Sequence, residues 1–178
     1  MSGDGIRTYE FTIKGTADHL RDSLTTVEWA VSLLPERWSH ALPDYYEPEA
    51  WGAAMNVAHL AVYEDKLAGP VLASLAAGGD GTDASASVDE RTAEAFAIAD
   101  QPLPALLDRL RRARQRQIET VEAFDPERFN VPVTPLWGEG YPRYGSRLHS
   151  AAWVATKTFQ HTWEHGNAIL RLALFSPD

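Results

Sequence analysis

Four long segments of this chain repeat apolar residues at spacings of three and four, and that pattern constrains the fold more than any other feature. Leu20, Leu24, Val27, Val31 and Leu34 form one stripe, the apolar face of an amphipathic helix. Gly15 precedes it, Thr16 suits its N-cap, and Pro35 marks its end. A second helix is expected from Pro48 to about Leu75, with Met55, His59, Val62, Tyr63, Lys66 and Leu67 at helical spacing. Pro70 inside it predicts a kink or local break. A third starts near Pro102 or Pro104, carries Leu106, Leu107, Leu110, Ala113, Gln117, Val121 and Phe124 inward, and stops at Asp125-Pro126. The last runs from about Leu148 to Leu174. With little strand signal, the four segments predict an all-α four-helix bundle, a single domain over residues 1–178.

The connections carry their own signals. Tyr9 to Lys14 alternates apolar and polar residues, as a short strand or an extended arm would. Residues 78–87 are glycine, serine, aspartate, threonine and alanine, a composition that reads as a mobile loop. A short helical piece is expected from Thr92 to Ala99. Residues 129–147 are irregular, with prolines at 132, 135 and 142, and hold Trp137, Glu139, Tyr141, Arg143 and Tyr144. This loop either walls a pocket, with Arg143 clamping an anionic substrate, or covers the bundle end.

Composition narrows the chemistry. There is no cysteine, so disulfides, thiolate metal sites and a cysteine nucleophile are excluded. No stretch approaches the ~20 apolar residues that cross a bilayer, and the start MSGDGIRTYEF is unlike a signal peptide. A cytoplasmic protein without membrane contact is the expectation. Sixteen basic residues against 25 acidic give a net charge of -9, which repels nucleic acid unless a basic patch is segregated. The arginines at 109, 111, 112, 114 and 116 spread around their helix and read as a solvated surface.

His161 and His165 are the informative pair among six histidines. An i,i+4 pair lies ~40° apart on a helix and one turn along it, so two imidazoles can converge on one metal ion. Ser150, Val154, Lys157, Ala168 and Leu172 share that face, and Glu164 lies at its margin. A hydrogen-bonded core histidine is the plain alternative for each, because two ligands do not make a site. Thr162 stands where a zinc-protease motif would need its glutamate. His59, between Met55 and Tyr63 on the apolar face of the second helix, is the natural third ligand. His19, His40 and His149 read as surface or locally bonded residues.

With these residues in view, the chain resembles the DinB/YfiT-like superfamily of metal-dependent enzymes. Trp51 followed by Val57-Ala58-His59-Leu60, and the run His161-x-x-x-His165-Gly166-Asn167-Ala168-Ile169, carry the resemblance. Asn167 stands where many relatives have glutamine. The resemblance spans essentially the whole chain. It implies an up-down-down-up bundle, one divalent ion held by His59, His161 and His165, and a homodimer. Relatives include bacillithiol- and mycothiol-dependent S-transferases and mycothiol-dependent maleylpyruvate isomerases. The same bundle occurs in sulfoxide synthases, whose second, C-terminal domain is not expected here, so that reaction is set aside.

The leading expectation is a transferase for a low-molecular-weight thiol. A divalent cation lowers a thiol's pKa and holds the thiolate for attack, and the substrate brings the sulfur. Lys157, one turn before His161, either attracts a carboxylate or snorkels to the bundle end. Tyr63, one turn after His59, either hydrogen-bonds at the metal or only packs. Hydrolysis through a metal-bound water is the second expectation; no clear general base stands beside the ligands. A non-catalytic, metal-braced, stress-related binding protein is the third. Three nitrogens suit several metals, with zinc expected and nickel the alternative. The partner is then a small molecule.

Overall fold

The computed structural model describes residues 11–40, 51–84, 86–135 and 148–175. Helix α1 spans Ile13–Ser32. Its N-cap is Thr12, not Thr16: the Thr12 hydroxyl accepts from the Gly15 N–H at 3.0 Å. Thr16 is buried inside the helix. Glycine disfavours helix interiors but is tolerated in a first turn closed by a cap. Of the expected arm, Phe11 exchanges two hydrogen bonds with the Asn130 amide, at 3.1 and 2.9 Å, Thr12 is the cap, and Ile13 and Lys14 already belong to the helix. Tyr9 and Glu10 lie outside the described residues.

Helix α2, Ala53–Tyr63, continues through a π turn at Glu64–Ala68 into α3, Gly69–Ala76. The break expected from Pro70 is therefore a widened turn in an unbroken helix. Pro70 has no N–H for the Lys66 carbonyl, and that carbonyl accepts instead from the Ala86 N–H at 2.9 Å. Gly69 is required here, because a Cβ at 69 would stand 2.7 Å from the Glu64 carbonyl oxygen. Pro48, the expected start of this helix, lies outside the described residues.

The 78–87 connection is tied down where it is described: the Asp80 carboxylate accepts from both the N–H and the hydroxyl of Thr82. Helix α4, Val88–Ile98, begins four residues before the expected start, because Ser87 and Glu90 close a capping box ahead of it. Helix α5 runs Leu103–Glu122 and one-turn α6 Pro126–Phe129, capped by Asp125. Helix α7 spans Ala151–Phe175. It follows an antiparallel bridge between Thr134 and His149.

Contacts along the helices set their directions. His19 packs on Phe159 and Gly166 faces Val27, so α1 and α7 run parallel. Glu64 meets Arg114 and Gly69 meets Gln117, so α2–α3 and α5 run parallel. Arg21 pairs with Glu122 and Glu28 with Arg111, which places α1 against α5 head to tail. His59 faces His161 while Asn56 faces His165, so α2 opposes α7. The topology is the expected up-down-down-up bundle, with α4 packed on α2.

The interior has two apolar clusters, one with Leu20, Leu72, Val121 and Phe129, the other with Val27, Leu60, Leu110 and Ile169. Between them lies a polar layer with a member from each long helix. Arg114 was expected in a solvated arginine run, but its side chain is fully buried. It stands one turn after Leu110 and one before Gln117, on the inner stripe. All five guanidinium N–H groups have acceptors. Nε and Nη2 grip the Glu64 carboxylate at 3.0 and 2.5 Å. The rest reach Leu20 O, Ser23 Oγ and Thr162 Oγ1. Burial pushes the Glu64 carboxyl above its ordinary range, and Arg114 opposes that push.

Among the described residues no helix is long and apolar enough to cross a membrane.

Candidate metal centre

His59 stands on α2, and His161 and His165 on successive turns of α7. The antiparallel contact of the two helices brings all three Nε2 atoms together. His161 Nε2 lies 3.1 Å from His59 Nε2 and 3.0 Å from His165 Nε2. The three donor atoms lie within 4.8 Å of one another, the sole such His, Asp or Glu group among the described residues.

Asn56 determines which nitrogen of His165 faces the cluster. Its Nδ2 donates to the carbonyls of Trp51 and Gly52, both at 2.9 Å. Its Oδ1 must therefore be the atom 2.7 Å from His165 Nδ1. An amide oxygen only accepts, so Nδ1 carries the proton and Nε2 presents a lone pair. Burial pushes His165 down to about 4, and the neighbouring His59 charge adds to it. Burial also holds His161 well below its ordinary value, helped by His165 and His59. His59 is lowered by burial and then by the Arg91 charge. All three rings are neutral at pH 7, the form that binds metal.

The arrangement fits a divalent ion. His161 Nε2 has two close nitrogen neighbours but holds at most one proton, and His165 Nε2 has none to offer. Hydrogen bonding therefore leaves at least one contact unsatisfied, whereas a cation shared among the lone pairs satisfies both. Nitrogens bound tetrahedrally at ~2.1 Å stand ~3.4 Å apart, so only a slight opening is needed. His59, His161 and His165 could hold such an ion, with coordination positions left for a ligand.

Aromatic rings enclose the cluster. Trp51 stacks on His165 at 5.9 Å between centroids and tilts over His59 at 4.9 Å. Phe96 of α4 meets Trp51 edge-on, and the Tyr63 ring lies 4.4 Å from that of His161. Lys157 places its Nζ 5.7 Å over the ring of Trp153, a residue one turn farther than Lys157 from His161 along α7. Glu164 is exposed at the margin of the face, as expected. Trp137, Glu139, Tyr141, Arg143 and Tyr144 all lie outside the described residues.

Among the other histidines, His40 bonds Gln101 O at 3.0 Å and His19 packs against Phe159 and Trp163. His149 departs from the surface reading: it is buried and stacks on Trp153 at 3.8 Å. Its bridge to Thr134 draws it in.

Sequence reasoning missed the supporting residues Asn56, Arg114 and Glu64. A signal existed for each of them. Asn56 interrupts an Ala/Val/Leu run one turn before His59, and Arg114 falls on the inner stripe of α5. Glu64 stands four residues after Leu60 and seven after Val57, both fully buried, so ordinary helical spacing already puts it on the inward face of α2.

The family profile of the DinB superfamily matches residues 12–169, and the chain belongs to that superfamily. Its fold is similar to that of a crystal structure of a protein from Streptococcus pneumoniae, with a TM-score of 0.70 and 13% sequence identity. The match covers 93% of this chain and 91% of that one. Comparison with curated protein sequences gives no match. Superfamily membership and the three-histidine cluster together fit a metal-dependent DinB-like protein.

Proposed function

We propose that this protein is a metal-dependent S-transferase that presents a low-molecular-weight thiol to an electrophile. The convergence of three neutral Nε2 donors, with no fourth His, Asp or Glu donor in the group among the described residues, carries this reading. A divalent ion there, zinc by expectation and nickel as the alternative, supplies the positive charge that favours a thiolate over a thiol.

The chain's own residues do the rest. Asn56 holds His165 in the ligating tautomer. Trp51 and Tyr63 limit water access and offer apolar surface to the reactants. Tyr63 projects from the turn after His59, where its hydroxyl is a hydrogen-bonding group for a bound sulfur or oxygen. No cysteine is present, so the sulfur comes from the substrate.

Metal content of tag-free protein, measured by elemental mass spectrometry, tests the centre. About one equivalent of zinc or nickel is expected, and its loss in His161→Ala. A folded protein that neither carries nor takes up metal would sink the proposal. Cobalt-substituted protein then tests the chemistry: added thiols should produce a sulfur-to-cobalt absorption band.

A further inference from the structure

Away from the histidines, the bundle end where α1 stops and α5 starts holds a groove of about 680 Å³, within the ~300–1,000 Å³ range of small-molecule sites. None of the three histidines of the metal centre lines it. Its floor is Val31 and Leu34 from α1 with Leu103 and Leu107 from α5, side chains continuous with the second apolar cluster. Two hydrogen bonds fix its walls. The Ser39 carbonyl accepts from the Ala54 N–H at 2.8 Å, and His40 Nε2 donates to the Gln101 carbonyl at 3.0 Å.

The free charges at the rim are of one sign. Glu36 and Asp100 are exposed there, and neither carboxylate has a partner among the described residues. Arg111 also lines the groove, but Glu28 and Asp108 already hold it, both at 2.6 Å. A helix N-terminus ordinarily attracts an anion through its free N–H groups. At the start of α5, Pro102 and Pro104 have no N–H, and the Ala105 and Leu106 N–H groups both reach back to the Pro102 carbonyl. The groove therefore offers apolar surface and free carboxylates, with few donors for an anion.

We propose that this groove binds a small organic cation with an apolar body, an alkyl- or arylalkyl-ammonium, independently of the metal centre. The hydrocarbon covers Val31, Leu34, Leu103 and Leu107, and the ammonium stays at the rim beside Glu36 and Asp100. Burial of the hydrocarbon supplies most of the affinity. Exposed carboxylates add selection more than strength, and the net charge of -9 draws cations from a distance.

Amide NMR titration of the full-length protein with phenethylammonium tests it, beside phenethyl alcohol and hydrocinnamate, which share the hydrocarbon and differ in charge. The ammonium is expected to shift the amides of Val31, Leu34, Leu103 and Leu107 and to bind about 5-fold more tightly than the alcohol, the effect of exposed ion pairing. Hydrocinnamate should bind weakest. Glu36→Gln combined with Asp100→Asn, both at exposed positions, should remove the preference while the alcohol still binds. Zinc loading should change none of these affinities. Equal binding of the three compounds, or a preference that survives the double variant, overturns the proposal. So do shifts confined to the amides around His59, His161 and His165, or no shifts at all. None of these readings uses the metal, so failure here leaves the metal centre standing, and a protein that takes up no metal leaves the groove standing.

Discussion

Asn56 shows how one amide orders a cluster of imidazoles. Two backbone carbonyls consume its donors, leaving only its oxygen for His165. Asn56→Ala is therefore expected to weaken zinc binding by 10–100-fold, the usual effect of losing a partner behind a ligand. Asn56→Asp keeps an acceptor for His165 but sets its second oxygen against the Trp51 and Gly52 carbonyls, so it should recover only part of the loss; a chelator competition titration reads both. The same residues predict an acid limit for the metal-free protein. His165 has an ordinary value of 6.5 and is held at about 4 in the folded chain. Above pH 6.5 the ring is neutral folded and unfolded. As pH falls from 6.5 toward 4, only the unfolded chain gains the proton, so stability declines and then levels. Urea unfolding of chelator-treated protein should show this loss, up to about 3 kcal/mol from this residue. His165→Gln should flatten the slope.

At the scale of elements, the π turn follows directly on α2, the helix that carries Asn56 and His59. It widens the helix where Pro70 removes a donor, and it begins directly after Tyr63 with the inward-facing Glu64. Gly69 permits it by leaving space for the Glu64 carbonyl. Gly69→Ala puts a methyl 2.7 Å from that oxygen. A cost of about 1–3 kcal/mol is expected, as for other overpacked positions, despite alanine's better helix propensity. A lowered urea midpoint would show it, and a rise would mean that the turn relaxes to an ordinary helix. The π turn was only half legible in the sequence. Pro70 announced a disturbance, but whether a helix breaks, kinks or widens depends on what accepts and donates around it. Here the Ala86 N–H, 20 residues along the chain, takes up the Lys66 carbonyl.

For the whole molecule, the polar layer around Arg114 joins all four long helices at the level of the metal centre. Thr162, which accepts from Arg114, is next to His161, and Glu64 is next to Tyr63. Arg114→Met strips the buried Glu64 carboxylate of its counter-charge and is expected to cost about 3–5 kcal/mol. Adding Glu64→Leu should restore much of the loss, because a buried pair replaced by apolar groups is often tolerated. Guanidinium unfolding of the two single variants and the double variant closes the cycle; additive losses would mean that the two residues act independently.

The sequence by itself determined the four amphipathic helices, their number and order, and the pairing of His161 with His165, because spacing along a helix is a local property. His59 was legible too, as a polar group on an apolar stripe. Tertiary structure alone decided that the three Nε2 atoms meet. It also decided that an amide from another helix holds one tautomer, and that an arginine from an apparently solvated run is sealed inside. These depend on groups 50 to 109 residues apart in the chain. Helix periodicity says which face a side chain occupies, and only the packing of one helix on another says what that face meets.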